Sequence, residues 1–286
     1  MLSSLGGRIV APRDPIEESL VVAARSEGTK PAVWSIHPVG GSVLWIRRLA
    51  RDLPEDQPIR GIQARGLDGE HVPFSSIPSM ARHYVSLVRQ VQPEGPYLLS
   101  GASFGGVVAF EMAQQLTATG ARVELLALFD TFGPGYPARR TFWPRLTGVL
   151  RRAGDLPWAH RPAFLWSRLH RDRGAGLTSG LGDLAGAPMV RGVQNVIAAN
   201  LRALAKYDPQ PYAGPIVLFR AMQRPRDLGE GYEDPDNGWS KVAPGRVDVI
   251  PIDGDHRFIL DPPTVDELSL KFAACVRRIT ERLSSP

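Results

Sequence analysis

Apolar and polar positions along this chain follow two periods that take turns. Short runs of β-branched and aliphatic residues recur at Ala32-Val33-Trp34-Ser35-Ile36, Ile59 to Gln63, Tyr97-Leu98-Leu99-Ser100 and Val123 to Phe129. Each is followed by a stretch with another rhythm. Met80, Tyr84, Leu87, Val88 and Val91 recur at helical intervals, which predicts an amphipathic helix over Pro78 to Gln92 with its other face in water. Further helical stretches run from Leu44 to Leu53, from the glycines after Ser103 to about Thr119, and from about Val193 to Tyr207. Two late strands are expected at Pro215 to Arg220 and Val247 to Ile252, and a last helix after Asp261-Pro262. Strands alternating with helices in this way predict an α/β fold, a mostly parallel central sheet with helices on both faces.

The alternation breaks between about 132 and 191. That segment carries Trp143, Trp158 and Trp166 on helical patterns, then a glycine-rich run from Gly174 to Gly182. An insertion of this length between core strands is expected to form a helical lid over a site. Residues 1–28 read as an N-terminal linker or extension. Residues 29–286 then form one domain with the lid inserted.

Charge and cysteine usage narrow the setting more than the chemistry. The net charge is +5, with lysine only at Lys30, Lys206, Lys241 and Lys271, so the excess is carried by arginine. No basic run interleaved with aromatics marks a nucleic-acid surface. Neither a signal peptide nor a membrane span is read from the apolar runs, so an unsecreted protein with no membrane partner is expected. The single cysteine, Cys275, sits in the apolar stretch Phe272 to Val276 and cannot form an internal disulfide. A reducing, cytoplasmic setting fits.

The chemistry is concentrated at Gly101-Ala102-Ser103-Phe104-Gly105. As a bare pentapeptide this is weak, but here it joins a short apolar strand to a helix, the placement that a nucleophile elbow of the α/β-hydrolases requires. Such a turn lifts the Ser103 hydroxyl clear of the backbone at a helix N-terminus. A serine needs a positioned base. Of the six histidines only His256 follows a late core strand, in Asp253-Gly254-Asp255-His256, and His37 is kept as a second candidate. The base in turn needs a carboxylate to hold its tautomer. Asp130, at the end of the strand beside the one that carries Ser103, gives the chain order serine, acid, histidine; Asp227, Asp234 or Asp236 would serve if the acid followed the next strand. For an oxyanion hole, the amide of Phe104 is one expected donor, and Val39 in His37-Pro38-Val39-Gly40-Gly41 the other, since Pro38 has no N–H.

These residues resemble a known family, the terminal thioesterase domains of nonribosomal peptide and polyketide synthases. The likeness lies in His37 to Gly41, Gly61 to Gly69, Gln92 to Gly106, Leu128-Phe129-Asp130-Thr131 and Gly254-Asp255-His256. The resemblance implies an α/β-hydrolase with its acid at Asp130 and no bound cofactor. It also implies an acyl or peptidyl chain received from the phosphopantetheine arm of a carrier protein, and release by water or by an internal nucleophile. Two departures stand out. Ala102 occupies a position where the family more often has a bulky aromatic or histidine. Ile9 to Glu18 is similar to the linker that leads into a carrier domain, but Leu5-Gly6-Gly7-Arg8-Ile9 lacks the attachment serine, so the carrier is expected elsewhere. A freestanding editing thioesterase, an ordinary esterase or lipase, and a catalytically silent receptor are the competing readings.

Overall fold

The computed structural model describes residues 20–133, 188–223 and 234–284. In chain order the elements are strands β1 (Val21–Arg25) and β2 (Val33–Ile36), helix α1 (Ile46–Asp52), β3 (Ile59–Ile62), α2 (Ile77–Val91), β4 (Tyr97–Ala102), α3 (Phe104–Ala118), β5 (Val123–Phe129), α4 (Pro188–Lys206), β6 (Ile216–Gln223), β7 (Val247–Asp255) and α5 (Thr264–Ser284). The strands make one seven-stranded sheet in the order β1-β3-β2-β4-β5-β6-β7. Every pairing is parallel except that of β1 with β3.

Period-2 strands buried on both faces explain the two cores. Leu126 and Leu128 of β5 face one side with Trp34, Ile36, Leu99, Ile216 and Leu218, under Met80, Tyr84 and Leu87 of α2 and Val108, Phe110 and Met112 of α3. Leu125, Ala127 and Phe129 face the other, with Val33, Leu98 and Phe219, under Ile46 and Leu49 of α1 and Leu268, Phe272 and Val276 of α5. Each large side chain removed from water contributes about 1.5–3 kcal/mol. A sheet apolar on both faces is stable only between two helix layers. Ser76 starts α2 by accepting from the Ser79 amide at 3.3 Å, with proline in the first turn. Hydrophobic all round, α3 is buried along most of its length.

Part of the expected N-terminal extension belongs to the sheet. Residues 21–25, read as preceding the domain, form the antiparallel edge strand, and Arg25 ties that edge to the end of α1. Its guanidinium donates to the carbonyl of Ala50 at 2.6 Å, one that the helix end leaves without an intrahelical partner, and to that of Pro54 at 2.5 Å in the turn beyond. The last helix begins at Thr264 rather than at Pro262. The expected lid, about 132–191, lies almost wholly outside the described residues. No helix among the described residues is long and apolar enough to cross a membrane.

Candidate active site

Strand order places a crevice between β2 and β4. From β2 the chain passes to β3 on one side, and from β3 it returns to β4 on the other, so the carboxyl ends of β2 and β4 form a topological switch point. Ser103 follows β4, and the His37–Gly41 loop follows β2. The site is built where they part.

Ser103 sits at φ 51° and ψ −114°, off the ordinary regions for a side-chain-bearing residue. Such strain costs about 1–3 kcal/mol and persists only where the surroundings enforce it. Here Ser103 N–H donates to Phe129 O at 3.0 Å, extending the β4–β5 ladder into the turn. The flanking glycines permit the close approach. A Cβ on Gly105 would lie 2.4 Å from the carbonyl oxygens of both Ile36 and His37, and one on Gly101 would lie 2.3 Å from Gly105 O. Backbone fills both positions, so α3 can start against the end of β2 only if these residues lack side chains.

Asp130 and His256 complete the arrangement. Ser103 Oγ is 3.2 Å from His256 Nε2, and His256 Nδ1 is 2.8 Å from Asp130 Oδ2. Asp130 is wholly buried beyond β5, while His256 opens a single 3-10 turn beyond β7, with the Phe132 ring packed 4.9 Å from its own. β7 runs through Asp253, Gly254 and Asp255, which the sequence reading placed in a loop.

The second oxygen of Asp130 is held by residues that sequence reasoning did not single out. Oδ1 accepts from the Ala221 amide at 3.0 Å and from Asn237 Nδ2 at 3.2 Å. Arg220 Nε donates to Asn237 Oδ1 at 3.3 Å; a guanidinium only donates, so the Asn237 oxygen faces Arg220 and its NH2 faces Asp130. Asn237 takes φ 54°, which asparagine tolerates, in the turn Asp234-Pro235-Asp236-Asn237-Gly238. The alternative acids Asp234 and Asp236 are spent inside that turn. Asp234 Oδ1 accepts from the amides of Asp236 and Gly238 at 3.1 and 3.0 Å, and Asp236 Oδ2 accepts from Ser240 at 3.1 Å. Asp227 lies outside the described residues. The only early signal for Asn237 was the Asn-Gly dipeptide, a turn former, which says nothing about a carboxylate partner.

On the other side of the crevice, His37 is fully buried. Its Nδ1 is 2.8 Å from Pro38 O and its Nε2 is 2.8 Å from Tyr84 Oη, so neither nitrogen is turned to Ser103. Burial pushes its pKa down to about 4, against a weaker raising effect from the Pro38 carbonyl. Val39 O accepts from Asn200 Nδ2 of α4 at 2.9 Å. Among the described residues the amides of Val39 and Phe104 donate to no backbone or side-chain acceptor. They are spare donors at the loop and at a helix N-terminus.

Sheet order, the sharp strand-to-helix turn at the serine and the chain order serine, aspartate, histidine define an α/β-hydrolase. The thioesterase-domain family matches residues 31–146. Malpinin synthetase of Mortierella alpina is 31% identical over 269 residues, which take in 91% of this chain but only 3% of that protein. The NocB thioesterase domain, solved as a covalent complex with a fluorophosphonate nocardicin G analogue, is 30% identical with a TM-score of 0.65, over 91% of this chain and 99% of that one. Holo-AB3403, a four-domain nonribosomal peptide synthetase bound to AMP and glycine, shares the fold at 24% identity and a TM-score of 0.69, over 93% of this chain and 20% of that one. The chain belongs to the thioesterase-domain family, of the kind found in nonribosomal peptide synthetases.

Proposed function

We propose that this chain is a serine thioesterase that releases a peptidyl or acyl chain from the phosphopantetheine arm of a carrier protein. The observation that carries this reading is the continuous path from Ser103 Oγ through the His256 ring to a buried Asp130 carboxylate, at 3.2 and 2.8 Å. His256 Nε2 takes the Ser103 proton as Oγ attacks the thioester carbonyl. Asp130 keeps the proton of His256 on Nδ1 and stabilises the imidazolium as it forms. The amides of Phe104 and Val39 receive the charge that develops on the carbonyl oxygen. Collapse of the tetrahedral adduct breaks the carbon–sulfur bond, and His256 returns its proton to the departing thiol. An acyl-Ser103 ester remains.

The second half repeats the first with another nucleophile. Water yields a free acid; an amine or hydroxyl of the same chain yields a macrocycle. Fluorophosphonates react with activated serines, so the covalent NocB complex supports a serine mechanism for this chain too. The likeness to synthetases supports a carrier-borne substrate over a simple ester. The test is turnover of a peptidyl thioester, presented on a carrier protein and on N-acetylcysteamine, with mass analysis of the product. Faster release from the carrier is expected, and a product lighter than the free acid by one water identifies cyclisation. A simple p-nitrophenyl ester cleaved much faster than either thioester would replace this reading by a general esterase.

A further inference from the structure

The buried ring of His37 is a titratable group that the serine, histidine and aspartate do not use. Pro38 O accepts two hydrogen bonds, from Gly41 N–H at 2.9 Å and from His37 Nδ1 at 2.8 Å. A carbonyl can only accept, so Nδ1 carries a proton, and because burial keeps the ring neutral Nε2 is bare. Tyr84 Oη therefore donates to Nε2 across 2.8 Å. Tyr84 is itself fully buried on α2, and burial keeps its phenol protonated by pushing its pKa up.

The consequence follows from peptide geometry. A trans peptide is planar, with C=O and N–H pointing opposite ways, so whatever fixes the Pro38 carbonyl fixes the direction of the Val39 N–H. The next peptide is fixed as well, because Val39 O accepts from Asn200 Nδ2. A loop ending in two glycines would otherwise let these planes rotate, and an oxyanion donor is effective only if it is aimed before charge develops. The same imidazole also stacks on Phe104, centroids 5.8 Å apart and planes 23° from parallel. One ring thus holds the carbonyl of the Pro38–Val39 peptide and packs against the side chain of Phe104.

We propose that His37 and Tyr84 are positioning residues for acyl transfer, a buried relay from α2 to the Pro38–Val39 peptide that aims the Val39 N–H. The proposal rests on the reading of Val39 as an oxyanion donor. It replaces the earlier candidacy of His37 as a base.

The experiment pairs two substitutions of one residue. In His37→Asn the amide NH2 stands near Nδ1 and keeps the bond to Pro38 O; in His37→Gln the amide reaches toward Tyr84 and that bond is lost. With a peptidyl N-acetylcysteamine thioester, His37→Gln is expected to lower kcat by about tenfold to a hundredfold at little-changed KM, and His37→Asn to recover most of it. Labelling of Ser103 by diisopropyl fluorophosphate, which does not depend on acyl-chain preference, should slow in the same order. Tyr84→Phe keeps the ring packed in α2 and serves as the test where a His37 variant does not fold; its kcat should fall about tenfold. The hole itself is probed by replacing Val39 with its α-hydroxy acid, which removes only the N–H. Loss of activity in that ester, together with equal and near-native rates in His37→Asn, His37→Gln and Tyr84→Phe, would overturn the relay and leave the oxyanion assignment standing. A Val39 ester as active as the parent would overturn both.

Discussion

Two turns meet at Ser103 and His256, and they are built on opposite principles. The elbow around Ser103 is local: five consecutive residues make it, two glycines admit the neighbouring backbone, and the strain sits in the serine itself. The cradle around Asp130 is assembled from afar. Its donors, Ala221 and Asn237, are 91 and 107 residues along the chain, on β6 and in the loop after it. Steric exclusion holds the first turn, and directed hydrogen bonds hold the second. Damage to the elbow should therefore reach the fold, whereas damage to the cradle should reach the chemistry first.

The largest expected effect comes from inverting one atom of the cradle. In Asp130→Asn, the Ala221 amide and Asn237 NH2 still demand an acceptor, so the new amide oxygen turns toward them and its nitrogen faces His256. That forces the proton of His256 onto Nε2, where it cannot accept from Ser103. A fall in kcat of about ten-thousandfold with an unchanged melting temperature is expected. Melting that drops with kcat would show the cradle to be structural as well.

Gly105→Ala is the matching blow to the elbow. A Cβ 2.4 Å from two backbone oxygens cannot be relieved by a side-chain rotation, so α3 must move away from β2. We expect a loss of about 3 kcal/mol or more in chemical denaturation, with activity lost in parallel. Near-native stability would mean that the elbow is softer than its contacts indicate.

Removing one cradle donor is milder. Asn237→Ala leaves the Ala221 bond to Asp130 in place, so kcat should fall by only about tenfold, and stability by about 1 kcal/mol for a hydrogen bond lost from an acceptor that keeps another donor. The double variant with Asp130→Asn should add little to Asp130→Asn alone. Full additivity of the two would separate Asn237 from the acid.

The smallest effect is a pH slope. His37 binds its proton near pH 4 in the folded chain and near 6.5 when unfolded, because burial disfavours the charged ring. Unfolding then takes up a proton between those values. The contribution of this group to stability is complete above pH 6.5 and is lost as pH falls toward 4. Denaturation from pH 7 to 4.5 should show a shallower slope in His37→Asn than in the parent. Equal slopes would mean that the ring titrates with solvent access.

The local turn was legible in the sequence, and the distant one was not. Gly101 to Gly105 between an apolar strand and an apolar helix announces an elbow, because the constraint acts within five residues. His256 and Asp130 could be nominated from strand ends and chain order, as could Val39 from the proline that precedes it. Asn237 could not, since its role depends on a loop meeting β5 across β6. The strand at Val21–Arg25 reads as an extension because its alternation is weak and its anchor, Arg25, works through carbonyls at the end of α1 and in the turn beyond it. His37 stands out in the sequence by type, but the fold buries it with both nitrogens turned to Pro38 and Tyr84 rather than to Ser103. Titratable residues advertise themselves by type, but only packing says whether they face the substrate.

An acyl ester on Ser103 is the intermediate on which the proposed mechanism turns. The most direct measurement is the intact mass of the protein after mixing with a short peptidyl thioester of N-acetylcysteamine, followed by peptide mapping, for the parent and for Ser103→Ala. A mass increase equal to the acyl group, mapped to Ser103 and missing from Ser103→Ala, is the predicted result. Undiminished turnover in Ser103→Ala, or an adduct on another residue of the parent, would contradict the account.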